Sequence, residues 1–406
     1  MLAGAVGPAG PPTRSLPAMV DEPASPVHSP SLADVARDWG RIGCLGFGGP
    51  PAHVAMLREL TVVRREWLTS VQFERAVAAT NMLPGPASTQ LAIYCAWRLR
   101  GARGALVGGI CFLGPGLVLI LGLAALFLSG STPRWLRAAG MGAGAAVPAV
   151  AVLAGLALAS PIWASAVPPR RTRMFAYGLL GALAAALTGP WLVLVLLGCG
   201  VAELSARRLA DGAGPFNAWV ALALGSTPGG VLALCWTSLK VGALAFGGGF
   251  VIVPLMQSDA VATHHWMSHS QFLNAVALGQ VTPGPVTHTV AAVGYAAGGL
   301  PGGLLAAAVA FAPSFSFILL GAARFERMMG NGRVLAFLGG ASPGAAGAIL
   351  GATVPLTGAL SEGWQYGVLA GAGVWLLALR RPVVPALLLA GLAGAAAGLL
   401  GGPVGS

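Results

Sequence analysis

Eight apolar runs, at 104–128, 140–159, 174–188, 190–204, 304–322, 334–358, 364–379 and 382–400, dominate this chain of 406 residues. A helix of about 20 apolar residues crosses roughly 30 Å of hydrocarbon, so runs of this size and number call for a bilayer as solvent. Lipid offers the backbone no hydrogen bonds, and such runs therefore fold as helices that satisfy themselves. The composition agrees: 9% of the residues are charged and 56% hydrophobic, against about a quarter charged in a soluble domain. The expected fold is an all-α integral membrane protein, embedded as a multi-pass chain in the lipid bilayer of the cell (inner) membrane.

The net charge of +11 does not make this a nucleic-acid binder, because the arginines stand in small groups between apolar runs and not on one face of a polar domain. They read as topology signals, since cytoplasmic loops keep the excess of Lys and Arg. The five cysteines, Cys44, Cys95, Cys111, Cys199 and Cys235, lack metal-ligand or disulfide spacing and read as buried free thiols. His264, His265 and His269 are grouped, but in an expected loop without acidic ligands, so no metal and no cofactor is expected. Residues 1–33, rich in Pro, Ala and Ser, read as a disordered cytoplasmic tail.

Sliding the chain along itself by 199 residues lays 43–112 on 242–311 without a gap. Phe47-Gly48-Gly49 falls on Phe246-Gly247-Gly248, Trp67 on Trp266, Gln72-Phe73 on Gln271-Phe272, and Pro84-Gly85-Pro86 on Pro283-Gly284-Pro285. Small residues match by chance in membrane helices, but Trp, Gln-Phe and Pro-Gly-Pro at one offset indicate a tandem duplication. The division expected is an N-terminal repeat at 34–210, a connector at 211–231 and a C-terminal repeat at 232–406.

The charges orient the repeats. Arg58, Arg64 and Arg65 precede Trp67, and Arg98, Arg100 and Arg103 follow the first Pro-Gly-Pro, whereas the matching loops 257–265 and 298–303 hold no Lys or Arg. Matching loops then lie on opposite membrane faces, and the repeat is inverted. Basic groups at both ends of 34–57 and of 67–97 make these re-entrant hairpins with tips at the Phe-Gly-Gly and Pro-Gly-Pro motifs, and 232–256 and 266–297 their counterparts. Each repeat thus has two broken or re-entrant helical hairpins plus about four transmembrane helices. The scheme needs one further crossing within 216–231, and it leaves Arg134 and Arg137 outside, against the rule.

Broken helices at membrane depth leave N–H and C=O groups that lipid cannot satisfy, so such breaks persist where protein or a polar occupant lines them. Proline ends one arm and suits the first turn of the next, while glycine permits the tight turn. A helix start directs free N–H groups and a positive dipole end at its tip, so four tips together form a cage suited to an anion. The expected contacts are Phe47, Gly48, Gly49, Pro84, Gly85, Pro86 and Ser88 from the first half. From the second come Phe246, Gly247, Gly248, Gln280, Thr282, Pro283, Gly284, Pro285, Thr287 and His288. Lys240, the single lysine of the chain, and Arg41 at the matching position supply positive charge behind the tips.

At these residues the sequence resembles the chromate ion transporter family, in its long-chain, two-domain form. The likeness rests on Gly43-Cys-Leu-Gly-Phe-Gly-Gly-Pro50, Leu83-Pro-Gly-Pro-Ala-Ser-Thr-Gln90, Lys240-Val-Gly-Ala-Leu-Ala-Phe-Gly-Gly-Gly249 and Gly279-Gln-Val-Thr-Pro-Gly-Pro285. The chain departs from the family pattern at Asn81, at Gly114-Pro115-Gly116 and at His288. The resemblance implies efflux of chromate, conferring resistance, with sulfate as a structural analogue and competitor. An anion channel or a sulfate-type anion transporter is the alternative of the same architecture. An enzyme is not expected, because the cores hold no HExxH, no paired Asp and no Ser with an evident base. Besides the oxyanion and the lipid, a second copy of the chain is an expected partner, as a homodimer.

Overall fold

The computed structural model describes residues 30–81, 83, 85–128, 132–164, 168, 170–187, 192–210, 230–245, 250–321 and 332–403. Every regular element among them is helical. The chain is an all-α membrane protein. In the first half these are α1 (Leu32–Leu45), α2 (Pro50–Arg58) continued by a π-helical turn at Glu59–Arg64, α3 (Ser70–Asn81), α4 (Ala87–Leu128), α5 (Arg134–Ala145), α6 (Val147–Ala164), α7 (Arg170–Leu187) and α8 (Leu192–Ala210). The second half holds α9 (Val231–Leu244), α10 (Ile252–Gln257) with a π turn at Ser258–Thr263, α11 (His269–Val281), α12 (Thr289–Gly321), α13 (Gly332–Gly358), α14 (Gly363–Gly373) with a π turn at Val374–Ala378, and α15 (Val383–Leu399).

Where the residues are described, all eight apolar runs lie on helices save for single positions. Four stretches, Ala87–Leu128, Arg134–Ala164, Val286–Gly321 and Gly332–Gly358, are long and apolar enough to cross a membrane. The helices start where local chemistry allows it. Ser31 Oγ accepts from the Asp34 N–H while the Asp34 carboxylate accepts from the Ser31 N–H, which begins α1 at Leu32, before the expected Asp34. Most of the expected tail and of the 216–231 crossing lies outside the described residues.

Through α4 in the first half and α12 in the second, the two halves carry the same elements at nearly the same spacing, whereas α5 and α6 are answered by the single helix α13. Helices α1 and α9, the two π turns that follow, and the starts of α3 and α11 are all offset by 199. Beyond the Pro-Gly-Pro breaks the offset becomes 198. Helix α4 is kinked at Arg100 and Gly101 (φ +60°), and α12 at Gly298 and Gly299 (φ +62°). Gly43 packs on the Phe112 carbonyl and Gly242 on that of Ala310, again 198 apart. The gap-free alignment is therefore corrected by one residue: an Ala- and Gly-rich helical stretch lost a position without leaving a mark in composition.

Each first hairpin folds back on itself. In half one, Arg65 Nη2 at the end of the second arm lies 2.9 Å from Asp38 Oδ2 on α1, and Trp39 stacks on Trp67. In half two, Lys240 Nζ on α9 lies 2.5 Å from Asp259 Oδ2 on the π turn, with Thr237 donating to the same oxygen at 2.8 Å. The acid stands on the first arm in one half and on the second arm in the other.

The halves also interlock through small residues, which let backbones approach closely where no hydrophobic drive joins helices in lipid. Gly178, Gly181 and Ala182 of α7 meet Gly347, Gly344 and Gly351 of α13; Gly142 of α5 meets Ala390 and Gly394 of α15; and Gly340 of α13 meets Cys199 of α8. Arg134 donates to the carbonyls of Gly401 and Gly402, at 3.3 and 2.9 Å, beyond the end of α15. A cation there satisfies free carbonyls and the negative dipole end, which explains why this arginine stands where topology counting does not expect it. The thiols need one correction: Cys95 and Cys199 are buried, but Cys44 is exposed and Cys111 and Cys235 partly so, because α1 turns its Gly40 and Gly43, and not Cys44, toward α4.

Candidate functional site

The breaks in the hairpins have the geometry that their glycines permit. After α1 the chain turns through Gly48 (φ +102°) and Gly49 (φ +72°) into Pro50 and Pro51, which occupy the first turn of α2. Gly85 (φ +121°) and Gly284 (φ +98°) hold matching conformations in the two Pro-Gly-Pro breaks. These values lie in the left-handed region, which costs an L side chain roughly 1–2 kcal/mol.

The tips from opposite halves meet. The Gly284 N–H donates to the Gly46 carbonyl at 2.9 Å, and His53 Nε2 lies 2.8 Å from the same oxygen. A carbonyl only accepts, so His53 carries its proton on Nε2. The contacts are reciprocal: Gly85 packs against the Gly242 carbonyl and Ser314 of the second half, and Gly116 of the first half against Pro283 and His288. Around this junction Thr89 Oγ1, Gln280 Nε2, Thr287 Oγ1, Ser314 Oγ and both ring nitrogens of His288 are buried without a hydrogen-bond partner among the described residues. The His288 ring lies near the carbonyls of Pro283 and Leu113, outside hydrogen-bond geometry. A buried polar atom left unpaired costs about 1–3 kcal/mol, so this density of free groups sets the junction apart from the apolar core around it.

Beside the junction lies a cavity of about 770 Å³. Gly48, Gly49 and Pro50 line it from the first tip, Asn81, Leu83 and Gly85 from the second, Phe250 from the third, and Gln280, Thr282 and Gly284 from the fourth. Apolar residues of α6, among them Val150, Leu153 and Leu158, form one wall, with Leu338 and Ser342 of α13 beside them. Arg380 and Arg381, both exposed, complete the lining from the α14–α15 loop. Neither forms an ion pair among the described residues. The arrangement brings helix starts, amide- and hydroxyl-bearing residues and two arginines without an ion pair to one volume, with no carboxylate in its lining among the described residues. Donor groups and positive charge of this kind are what an anion requires of a site.

The family model described as Chromate transporter matches residues 33–204 and 232–399, one match in each half and together most of the chain. The chain belongs to the chromate transporter family. It is 32% identical over 326 residues to the chromate transport protein of Cupriavidus metallidurans, covering 78% of this chain and 80% of that one. With the chromate transport protein of Pseudomonas aeruginosa it shares 30% over 369 residues, 86% of each chain. A probable chromate transport protein of Synechococcus elongatus is 28% identical over 382 residues, 90% of this chain and 95% of its own. No solved structure matches the chain.

In this chromate transporter family protein the anticipated site residues separate into four groups. Gly48, Gly49, Gly85, Gln280, Thr282 and Gly284 line the cavity. Pro86, Ser88, Pro283, Pro285, Thr287 and His288 belong to the same tips or the turns directly behind them, and Pro84, Phe246, Gly247 and Gly248 lie outside the described residues. Arg41, Phe47 and Lys240 are absent from the lining: Arg41 and Phe47 are exposed, and Lys240 is engaged by Asp259. Sequence reasoning missed Arg380, Arg381 and His53 as neighbours of the site. The arginine pair carried a signal, an Arg-Arg-Pro next to an apolar run, but that signal was spent on topology.

Proposed function

We propose that this protein transports a tetrahedral oxyanion of the chromate and sulfate class across the cell membrane, outward, with the dianion held between the broken-helix tips of two inverted repeats. The observation that carries this reading is the convergence of tips from both halves on one cavity that has two unpaired arginines and no carboxylate in its lining. Chromate as the cargo is favoured by the relatives, whose names assign them chromate transport. Inversion is supported by the loops that match in position but not in charge: Arg58, Arg64 and Arg65 against an Arg- and Lys-free 257–265. By the same rule Arg380 and Arg381 face the cytoplasm, so the cavity loads from the cytoplasmic side, as efflux requires.

In this mechanism the helix starts at Ala87 and Val286 direct main-chain donors to the anion, α2 adds the Ala52 N–H behind its two prolines, and Gln280 adds a side-chain donor. Arg380 and Arg381 draw the dianion in from the cytoplasm and neutralise part of its charge. A second state, opened to the other face by the matching hairpins, releases it, the alternating use of one central site that inverted repeats support.

The test is chromate flux in vesicles reconstituted with the purified protein. Saturable accumulation of chromate in inside-out vesicles, competed by sulfate, is the expected result. Flux that rises linearly without saturation makes the protein a channel, and no flux of either anion removes the oxyanion reading.

A further inference from the structure

Three arginines and one glutamate meet where α7 begins and α8 ends, with a fourth arginine, Arg171, beside them. The side chain of Glu203 is fully buried, and its carboxylate takes Arg173 Nε at 3.0 Å, Arg207 Nε at 3.1 Å and Arg170 Nε at 3.8 Å. One guanidinium would neutralise it, so two positive charges remain in surplus on side chains that the buried carboxylate holds in place. Arg171 is not paired with Glu203 among the described residues. Its guanidinium lies 4.6 Å from the centroid of the Trp163 ring, which meets Phe175 edge to face at 6.2 Å. Along α7 from Arg171, at four-residue spacing, Phe175, Leu179, Leu183 and Leu187 are all exposed. Residues four apart share one helix face, so a continuous apolar stripe runs down the membrane surface from a cationic, aromatic head.

We propose that this corner binds an anionic phospholipid, its phosphodiester held by Arg171 with Arg170 and Arg173 and an acyl chain laid along Phe175, Leu179, Leu183 and Leu187. The N-terminus of α7 adds free N–H groups and a positive dipole end to the same spot. Topology signalling alone does not explain the cluster, because a signal needs no carboxylate, and burying Glu203 carries a desolvation cost that pairing offsets only with good geometry. A soluble anion would use the guanidinium groups but not the stripe or Trp163, a residue type that settles at the membrane interface. Basic pockets between helices on the cytoplasmic side are also where anionic headgroups bind.

The corner is coupled to the cavity through α13. Gly339 packs against the guanidinium groups of Arg170 and Arg207, and Gly340 against Glu203, while their neighbours Leu338 and Ser342 line the cavity. A bound headgroup therefore braces the outer side of a cavity wall.

The test is retention of lipid by the full-length protein, read by native mass spectrometry after equal exposure to phosphatidylglycerol and phosphatidylcholine. Wild type should keep phosphatidylglycerol preferentially. Arg171→Gln should reduce that preference about fivefold, the worth of one basic residue at an anionic surface, and Arg171→Lys should restore most of it. Arg171 has no contact with Glu203, so Arg171→Gln should melt at the wild-type temperature. Arg64→Gln, an exposed cytoplasmic arginine without such a stripe, should leave retention unchanged. Equal retention of both lipids by wild type, or an equal loss in Arg64→Gln, overturns the proposal. So does complete displacement of phosphatidylglycerol by inorganic phosphate, which would make the cluster a site for soluble oxyanions. No transport is measured, so failure here leaves the cargo assignment untouched.

Discussion

The Gly284 N–H and the Gly46 carbonyl, 2.9 Å apart, tie the Pro-Gly-Pro break of one half to the Phe-Gly-Gly break of the other, main chain to main chain. The hairpin tips are thereby one unit, and a change at either tip is felt at both.

Gly284→Ala should test that unit. Its φ of +98° disfavours a side chain, and a methyl group would lie 2.8 Å from the His288 ring. The combined cost, at least the roughly 1–2 kcal/mol of the left-handed conformation, should lower chromate flux by about tenfold or more while the protein still reaches the membrane. Flux at the wild-type rate would detach the tip from the mechanism.

Lys240→Gln should act on stability before it acts on binding. Removing the ammonium strands the Asp259 carboxylate, which is nearly buried, and breaking a buried pair from one side typically costs about 3–5 kcal/mol. The single variant should melt well below wild type, and Lys240→Gln with Asp259→Asn should recover most of the loss, with chromate affinity near normal in the double variant. If the double variant is stable but binds chromate poorly, Lys240 serves the anion itself.

Arg380→Gln and Arg381→Gln should each weaken chromate binding about tenfold, the lower end of a charge-assisted contact at about 1.5 kcal/mol, because both side chains are exposed. The wild-type affinity should fall with added salt and the double variant should lose most of that dependence. Binding isotherms at two ionic strengths decide this; an unchanged affinity in the double variant removes the pair from the site.

The inverted orientation is checked by single cysteines in a Cys-free background. Val62 and Val261 are matching positions, but Val261 is buried, so their exposed neighbours Val63 and Ala262 are the better probes. Val63→Cys should react with an impermeant maleimide from the cytoplasmic side and Ala262→Cys from the other. Labelling of both from one side would sink the inversion.

Much of the fold was legible because it depends on long patterns. Apolar runs marked the helices, and Trp67 with Trp266 and the two Pro-Gly-Pro motifs marked hairpins whose arms start at matching residues. The slip from 199 to 198 is hidden within the compared stretch, since Gly104 finds a glycine at either offset, Gly302 or Gly303; Pro115 with Pro313 carries the signal, but both lie beyond 43–112 and 242–311. The tips of the site were readable for a physical reason: only Gly and Pro make such breaks, and breaks in lipid need an occupant. The cations were harder. Lys240 looked unpaired because Asp259 reaches it only when the second arm folds back, and the bearing of Arg380 on the cavity depends on how α14 and α15 approach the tips, which periodicity does not encode.

The glycine contacts between α7 and α13 leave no side chain between the two backbones, and similar contacts join α5 to α15 and α8 to α13. Helices meshed at that distance have no lubricating layer of rotatable groups, and sliding one past its neighbour would force main chain through main chain. The two halves are therefore cross-braced into a single stator. Any rearrangement of the tips would have to leave that frame intact, and the hairpins are seated in it by contacts of the same kind, Gly43 on the Phe112 carbonyl and Gly242 on that of Ala310.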